Sequence, residues 1–182
     1  MDTEETWASI DNISHPLVKE FAAYWSSLRK GRRVPARRDF EPFDAKRFLP
    51  HLFLLDVERP AMRFKGRVVG TRIAETLGYD YTGKYLDAVV SEPYYTQLKQ
   101  DLTSVAEEGI LHYRLTTLDW NDKPYSVYSR LYAPLTTNTD QIDIVVGIAI
   151  VTNSADIRQK EDLIRSVLMS QRSISARIVL PE

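Results

Sequence analysis

The sequence predicts an α+β domain: a five-stranded antiparallel sheet flanked by short helices and one long helix, with helical extensions at both ends. Three observations predict it. First, five runs at 52–57, 62–69, 110–118, 125–134 and 142–151 are strand-like, four alternating with a period of two and one continuously apolar. Second, the stretch between the second and third runs changes to helical spacing, with a long apolar face at Tyr95, Leu98, Leu102, Val105 and Ala106. Third, the last three runs follow one another through short turns, as an antiparallel meander does.

In chain order, residues 1–13 are polar and expected to fray. Ser14 is a candidate N-cap, and Pro16 sits in a permissive first turn. Leu17, Phe21, Tyr24, Trp25 and Leu28 then fall at helical spacing until Gly31 stops the run. This aromatic stripe packs on its own sheet, or Leu17, Phe21, Trp25 and Leu28 form a homodimer contact, or it does both. Arg29, Lys30, Arg32, Arg33, Arg37 and Arg38 form a basic cluster, read as a solvated linker, as a seat for an anionic ligand or partner, or, against the lack of interleaved aromatics, as a nucleic-acid contact.

The LFLLDV run at 52–57 is apolar almost throughout, as in a strand covered on both faces. In the next run Met62, Phe64, Gly66 and Val68 alternate with Arg63, Lys65 and Arg67. Ile73, Ala74 and Leu77 then make a short helix, and Gly78 follows where a C-cap requires positive φ. Asp80, Thr82 and Gly83 give a second turn, and 87–90 a further turn of helix. Ser91 and Pro93 start the long helix, which Gly109 ends. Leu111, Tyr113 and Leu115 oppose His112, Arg114 and Thr116. After a turn at Asn121 and Asp122, Val127, Ser129 and Leu131 oppose Tyr128, Arg130 and Tyr132. In the last run the isoleucines from Ile142 to Ile150 oppose Val145, Gly147 and Ala149. Residues 173–180 fit helix or strand equally.

The pattern Ala74-x-x-Leu77-Gly78-Tyr79-x-x-x-Gly83-Lys84 resembles the start of a PAS domain. It departs where that family usually has asparagine, at Arg72. Asp156 and Ile157 resemble the Asp-Ile-Thr close of many PAS domains, with Arg158 in place of threonine. The likeness spans roughly residues 49–160, and resembles a bacterial branch with an N-terminal Tyr-Trp helix. It implies an N-terminal helical extension and linker at 1–48, a PAS domain at 49–153 and a helical extension at 154–182. It also implies a sensory or signalling module without an output domain of its own. In the alternative, the module is a ligand-free adaptor acting through protein contacts. The extension helix, with Ile164 and Leu168, offers a second dimer surface.

Composition narrows the chemistry. There is no cysteine, so disulfides, thiolate catalysis and Cys-ligated metal centres are excluded. The net charge of −1 argues against a nucleic-acid binder. No apolar run reaches the ~20 residues of a membrane span, and the acidic N-terminus is not a signal peptide, which favours a cytoplasmic location. His15, His51 and His112 lack ligand partners at short spacing, and no phosphate loop is present, so neither enzyme activity nor a metal site is expected. Within the PAS family, flavin–cysteinyl photochemistry needs the missing cysteine. Haem is not expected, because the long helix carries no histidine. The expected partners are a second copy of the chain, an unidentified small molecule and an unidentified signalling protein. The expected ligand wall combines Leu98, Leu102 and Val105 of the long helix with Phe64, Val68, Tyr113, Leu115, Val127 and Leu131 of the strands. Ser129 supplies a polar handle in that wall.

Overall fold

The structure is a computed structural model that describes residues 4–118, 126–137, 141–152 and 173–181. Its elements are β1 (Glu4–Trp7), α1 (Pro16–Ser27), β2 (Leu52–Glu58), β3 (Arg63–Val69), α2 (Thr71–Leu77), α3 (Leu86–Val89), α4 (Tyr94–Glu108), β4 (Leu111–Leu118), β5 (Ser126–Thr136), β6 (Ile142–Thr152) and β7 (Ile174–Ile178). They form one seven-stranded sheet in the order β1-β7-β4-β5-β6-β2-β3. The five expected strands are its antiparallel body. The expected count of five is corrected by two terminal strands: β7 adds antiparallel to β4, and β1 adds parallel to β7.

Both added strands escape the sequence pattern for physical reasons. Glu4–Trp7 is four residues with three exposed positions, too short to display alternation. It is paired rather than frayed because β7 gives its backbone a partner and Trp7 rests on the Tyr113 ring, centroids 5.7 Å apart. Ile174–Ile178 forms a strand within the expected helical extension, since its backbone completes the β4 ladder. The expected helix carrying Ile157, Ile164 and Leu168 lies outside the described residues, as does the turn at Asn121 and Asp122.

The two faces of the sheet are covered differently. α1 lies over one face, where its buried Val18, Phe21, Ala22 and Trp25 share a core with Leu52, Leu54, Leu131, Leu135, Val146 and Ile148. The Trp25 indole donates to the Pro134 carbonyl at 2.9 Å, which fixes the helix on the sheet. α2, α3 and α4 cover the other face over Phe53, Leu55, Phe64 and Val145. α1 starts with Pro16 at its first turn but takes no side-chain cap. Ser14 instead shares a 2.9 Å hydrogen bond with the Tyr113 hydroxyl.

The glycine turns hold the helical face in place. Gly78 ends α2 at φ +80°, with its N–H on the Ala74 carbonyl. Gly83 donates to the Gly66 carbonyl at 2.7 Å, and Gly66 donates back to the Lys84 carbonyl at 2.9 Å, so the turn is laced to the β3 edge. A Cβ at Gly66 would stand 2.4 Å from the Tyr81 carbonyl, so only glycine lets this loop close. Among the described residues no helix is long and apolar enough to cross a membrane.

Four arginines of the basic cluster have partners within the chain. Arg29 donates to the carbonyls of Arg32, Arg33 and Pro181, and Arg37 to that of Phe40. Arg32 pairs with Asp39, and Arg33 donates to the Glu108 carbonyl at the end of α4. These guanidinium groups mainly satisfy loop and helix-end carbonyls.

Candidate functional site

Period-two alternation sends His112, Arg114 and Thr116 of β4 and Tyr128, Arg130 and Tyr132 of β5 toward α4. From β6 the same face receives Val145, Gly147 and Ala149, and from β7 Ser175 and Arg177. This helix-covered face therefore carries most of the buried polar groups, and it divides into three regions.

At the β4–β7 side lies a charged network whose Asp101, His112, Arg114 and Ser175 are buried. Asp101 of α4 and Arg114 are each 3% exposed and pair bidentately at 2.6 and 2.7 Å. Arg114 also donates to Ser175 at 3.1 Å. The His112 Nε2 lies 3.3 Å from both Ser175 Oγ and Glu4 Oε1, and 3.7 Å from Asp101. Burial is the main cause that pushes the His112 pKa below its ordinary value; Asp101 and Glu4 oppose this and Arg114 adds to it. The network ties α4 to β4 and to both terminal strands.

The centre of the face is filled by side chains. The Phe53 ring occupies the space above Gly147, where a Cβ would lie 2.1 Å from it. Phe53 meets Tyr132 edge-on at 5.9 Å. Leu102, Val105, Phe64 and Tyr81 close the rest. Tyr132 is 2% exposed, and its hydroxyl has no hydrogen-bond partner among the described residues.

At the α2 end the face opens into a pocket of about 270 Å³. Ile73, Leu77, Ala149 and Val151 give it an apolar side, and His51, Arg72, Thr76 and Tyr128 a polar one. Burial first, and then the Arg72 charge, lower the His51 pKa, so the imidazole is held neutral. Burial raises the phenol pKa values of Tyr81, Tyr128 and Tyr132, so these hydroxyls stay protonated donors. The Arg130 guanidinium lies over the Tyr128 ring, 4.5 Å from its centroid. Among the described residues no group of three His, Cys, Asp or Glu is placed to hold a metal ion.

The expected ligand wall splits between the two faces. Phe64, Leu102 and Val105 lie on the α4 face, with Leu98 partly buried beside them. Tyr113, Leu115, Val127 and Leu131 lie on the opposite face, packed beneath α1. Ser129 is there too, donating to the Tyr113 hydroxyl at 3.3 Å, so it is no handle in a pocket. Val68 is opposite Leu54 on that same side and 44% exposed at the β3 edge. The more apolar row invites a ligand wall, but α1 needs that row as its landing surface. The stripe packs on its own sheet: Phe21, Trp25 and Leu28 are buried within the chain and Leu17 packs partly against the same core. Sequence reasoning misses Asp101, Arg114, Tyr128, Arg130 and Tyr132, although their polar alternation opposite an apolar row is an available signal.

The sequence profile of the PAS domain family matches residues 13–150, from the residues leading into α1 almost to the end of β6. The chain belongs to the PAS domain family. Membership places it among sensory and signalling modules in general. No curated protein matches the chain. The PAS motif has a physical role here: Gly78 supplies the left-handed helix end, and Gly83 and Lys84 lace the following turn to Gly66. The position that departs from the family pattern, Arg72, lines the pocket.

Proposed function

We propose that this PAS domain is a sensory module that receives a small molecule in the pocket beneath α2 and works by binding rather than catalysis. The observation that carries the reading is the mixed lining of that pocket. Apolar Ile73, Leu77 and Val151 face a few fixed polar groups, His51, Thr76 and Tyr128, as in small-molecule sites generally. The pocket adjoins α2, whose Gly70 N-cap donates its N–H to the Leu52 carbonyl. A ligand preferring one α2 position would bias the arrangement of the helices over the sheet.

One observation favours the adaptor reading. The centre of the helical face is packed shut by Phe53, Tyr81, Leu102 and Tyr132, and the room that remains lies at its α2 end. The test is a thermal-shift screen of small metabolites on the full chain, with Thr76→Trp as the pocket-filled control. A compound that stabilises the wild type by mass action and not the variant supports the sensor. Absence of any shift across a broad set, with partner capture retained by Thr76→Trp, would leave an adaptor.

A further inference from the structure

We infer that the pocket beneath α2 takes a small monocarboxylate with an apolar body; this rests on the sensory reading above. Arg72 lines the pocket and pairs with Glu75 at 3.1 Å, the two side chains being 67% and 63% exposed. Such a solvated pair is weak and readily exchanged for another carboxylate. Arg130 is the cross-strand partner of Ala149, which also lines the pocket, and its guanidinium sits over the Tyr128 ring. Among the described residues the Arg130 Nε has no hydrogen-bond partner. Its terminal nitrogen reaches the Thr116 hydroxyl only at a long 3.5 Å.

A neutral group points the same way. Tyr128 at the pocket is a protonated donor. Arg72 thus brings a cation and Tyr128 a donor to one side of the pocket, and a carboxylate supplies the acceptors.

The apolar side sets the rest of the molecule. Ile73, Leu77 and Val151 present hydrocarbon with no polar group to meet a second charge, which disfavours dicarboxylates and inorganic phosphate. The volume of about 270 Å³ corresponds to roughly nine water-sized units at ~30 Å³ each. Benzoate and short branched fatty acids are small enough to enter that volume.

The experiment titrates the full chain with sodium benzoate, benzamide and inorganic phosphate, following the backbone amides of Thr76 and Ala149 by NMR. Saturable benzoate binding at these amides is expected, with benzamide and phosphate at least about tenfold weaker. Arg72→Met and Arg130→Met should each weaken benzoate about tenfold while leaving benzamide unchanged. Circular dichroism melts confirm that both variants fold. Benzamide binding as tightly as benzoate, or arginine variants that bind benzoate normally, would overturn the carboxylate assignment and leave the sensory reading standing. If no compound moves either amide, the ligand reading falls together with it.

Discussion

Removing one half of the Asp101–Arg114 pair should cost the protein much of its margin of stability. Both side chains are 3% exposed, and Arg114 spends two donors on Asp101 and one on Ser175. Asp101→Leu strands a guanidinium in a site closed by α4 and β7, and Arg114→Met strands a carboxylate. Breaking a buried pair in this way costs about 3–5 kcal/mol, because the remaining charge keeps its desolvation penalty without its compensation. With a urea m-value of about 2 kcal/mol/M, the midpoint should fall by roughly 2 M in either single variant. The double variant removes both charges, so it should recover most of the loss and give a coupling energy of at least about 2 kcal/mol. Equilibrium urea unfolding followed by tryptophan fluorescence measures all four corners of the cycle. Single variants that each lose less than ~1 kcal/mol, or a double variant whose loss is the plain sum, would refute the claim that the pair is a closed charged unit.

Other outcomes follow from the same geometry. His112 and His51 have lowered folded pKa values, so below about pH 6.5 the unfolded chain binds more protons and stability falls on acidification. The buried His112 sets most of the slope, up to ~1.4 kcal/mol per pH unit, and solvent screening reduces the share of the more exposed His51. Urea midpoints at pH 7.5 and 5.5 should differ, and His112→Gln should reduce the difference; the lowered carboxylates Asp39 and Asp87 act only at more acid pH. Gly78→Ala meets no atom within 4 Å and carries only the left-handed penalty, about 1 kcal/mol, whereas Gly147→Ala collides with the Phe53 ring and should cost about 3 kcal/mol. Equal melting temperatures for the two would contradict the contact geometry. Trp25→Phe should lose about 2 kcal/mol through the indole hydrogen bond and the vacated volume, and Trp25→Glu should fail to give a cooperative thermal transition. A well-folded Trp25→Glu monomer would return the aromatic stripe to a surface role.

The order of elements is legible because each long segment keeps one period over enough residues. Gly78 and Gly109 are legible as helix stops because both need left-handed φ, which they adopt at +80° and +66°. What alternation cannot tell is which helix covers which row. β4 and β5 each display an apolar row and a more polar row, and His112, Arg114 and Tyr132 of the second are as buried as the first. The decision depends on α1 and α4, whose own composition holds the answer. α1 presents Phe21 and Trp25, which require an apolar landing surface. α4 buries Asp101, which requires a cation across from it, and Arg114 is that cation. The pocket is illegible for another reason: it joins His51, α2, Tyr128 and β6, which approach only through the folding of the whole sheet.

The parallel pairing of β1 with β7 also fixes an order of assembly. β7 lies between β1 and β4, so β1 has no place on the sheet until β7 is present. During synthesis β1 leaves the ribosome first of the seven strands, yet its partner leaves last of them. Glu4–Trp7 must therefore wait as unpaired backbone while the antiparallel body forms. Four residues carrying two carboxylates make a poor template for pairing with neighbouring chains, so the wait is safe. The Glu4 contact to His112 and the Ser175 contact to Arg114 are then among the last to form. The charged network is sealed only when the final strand of the sheet has been delivered.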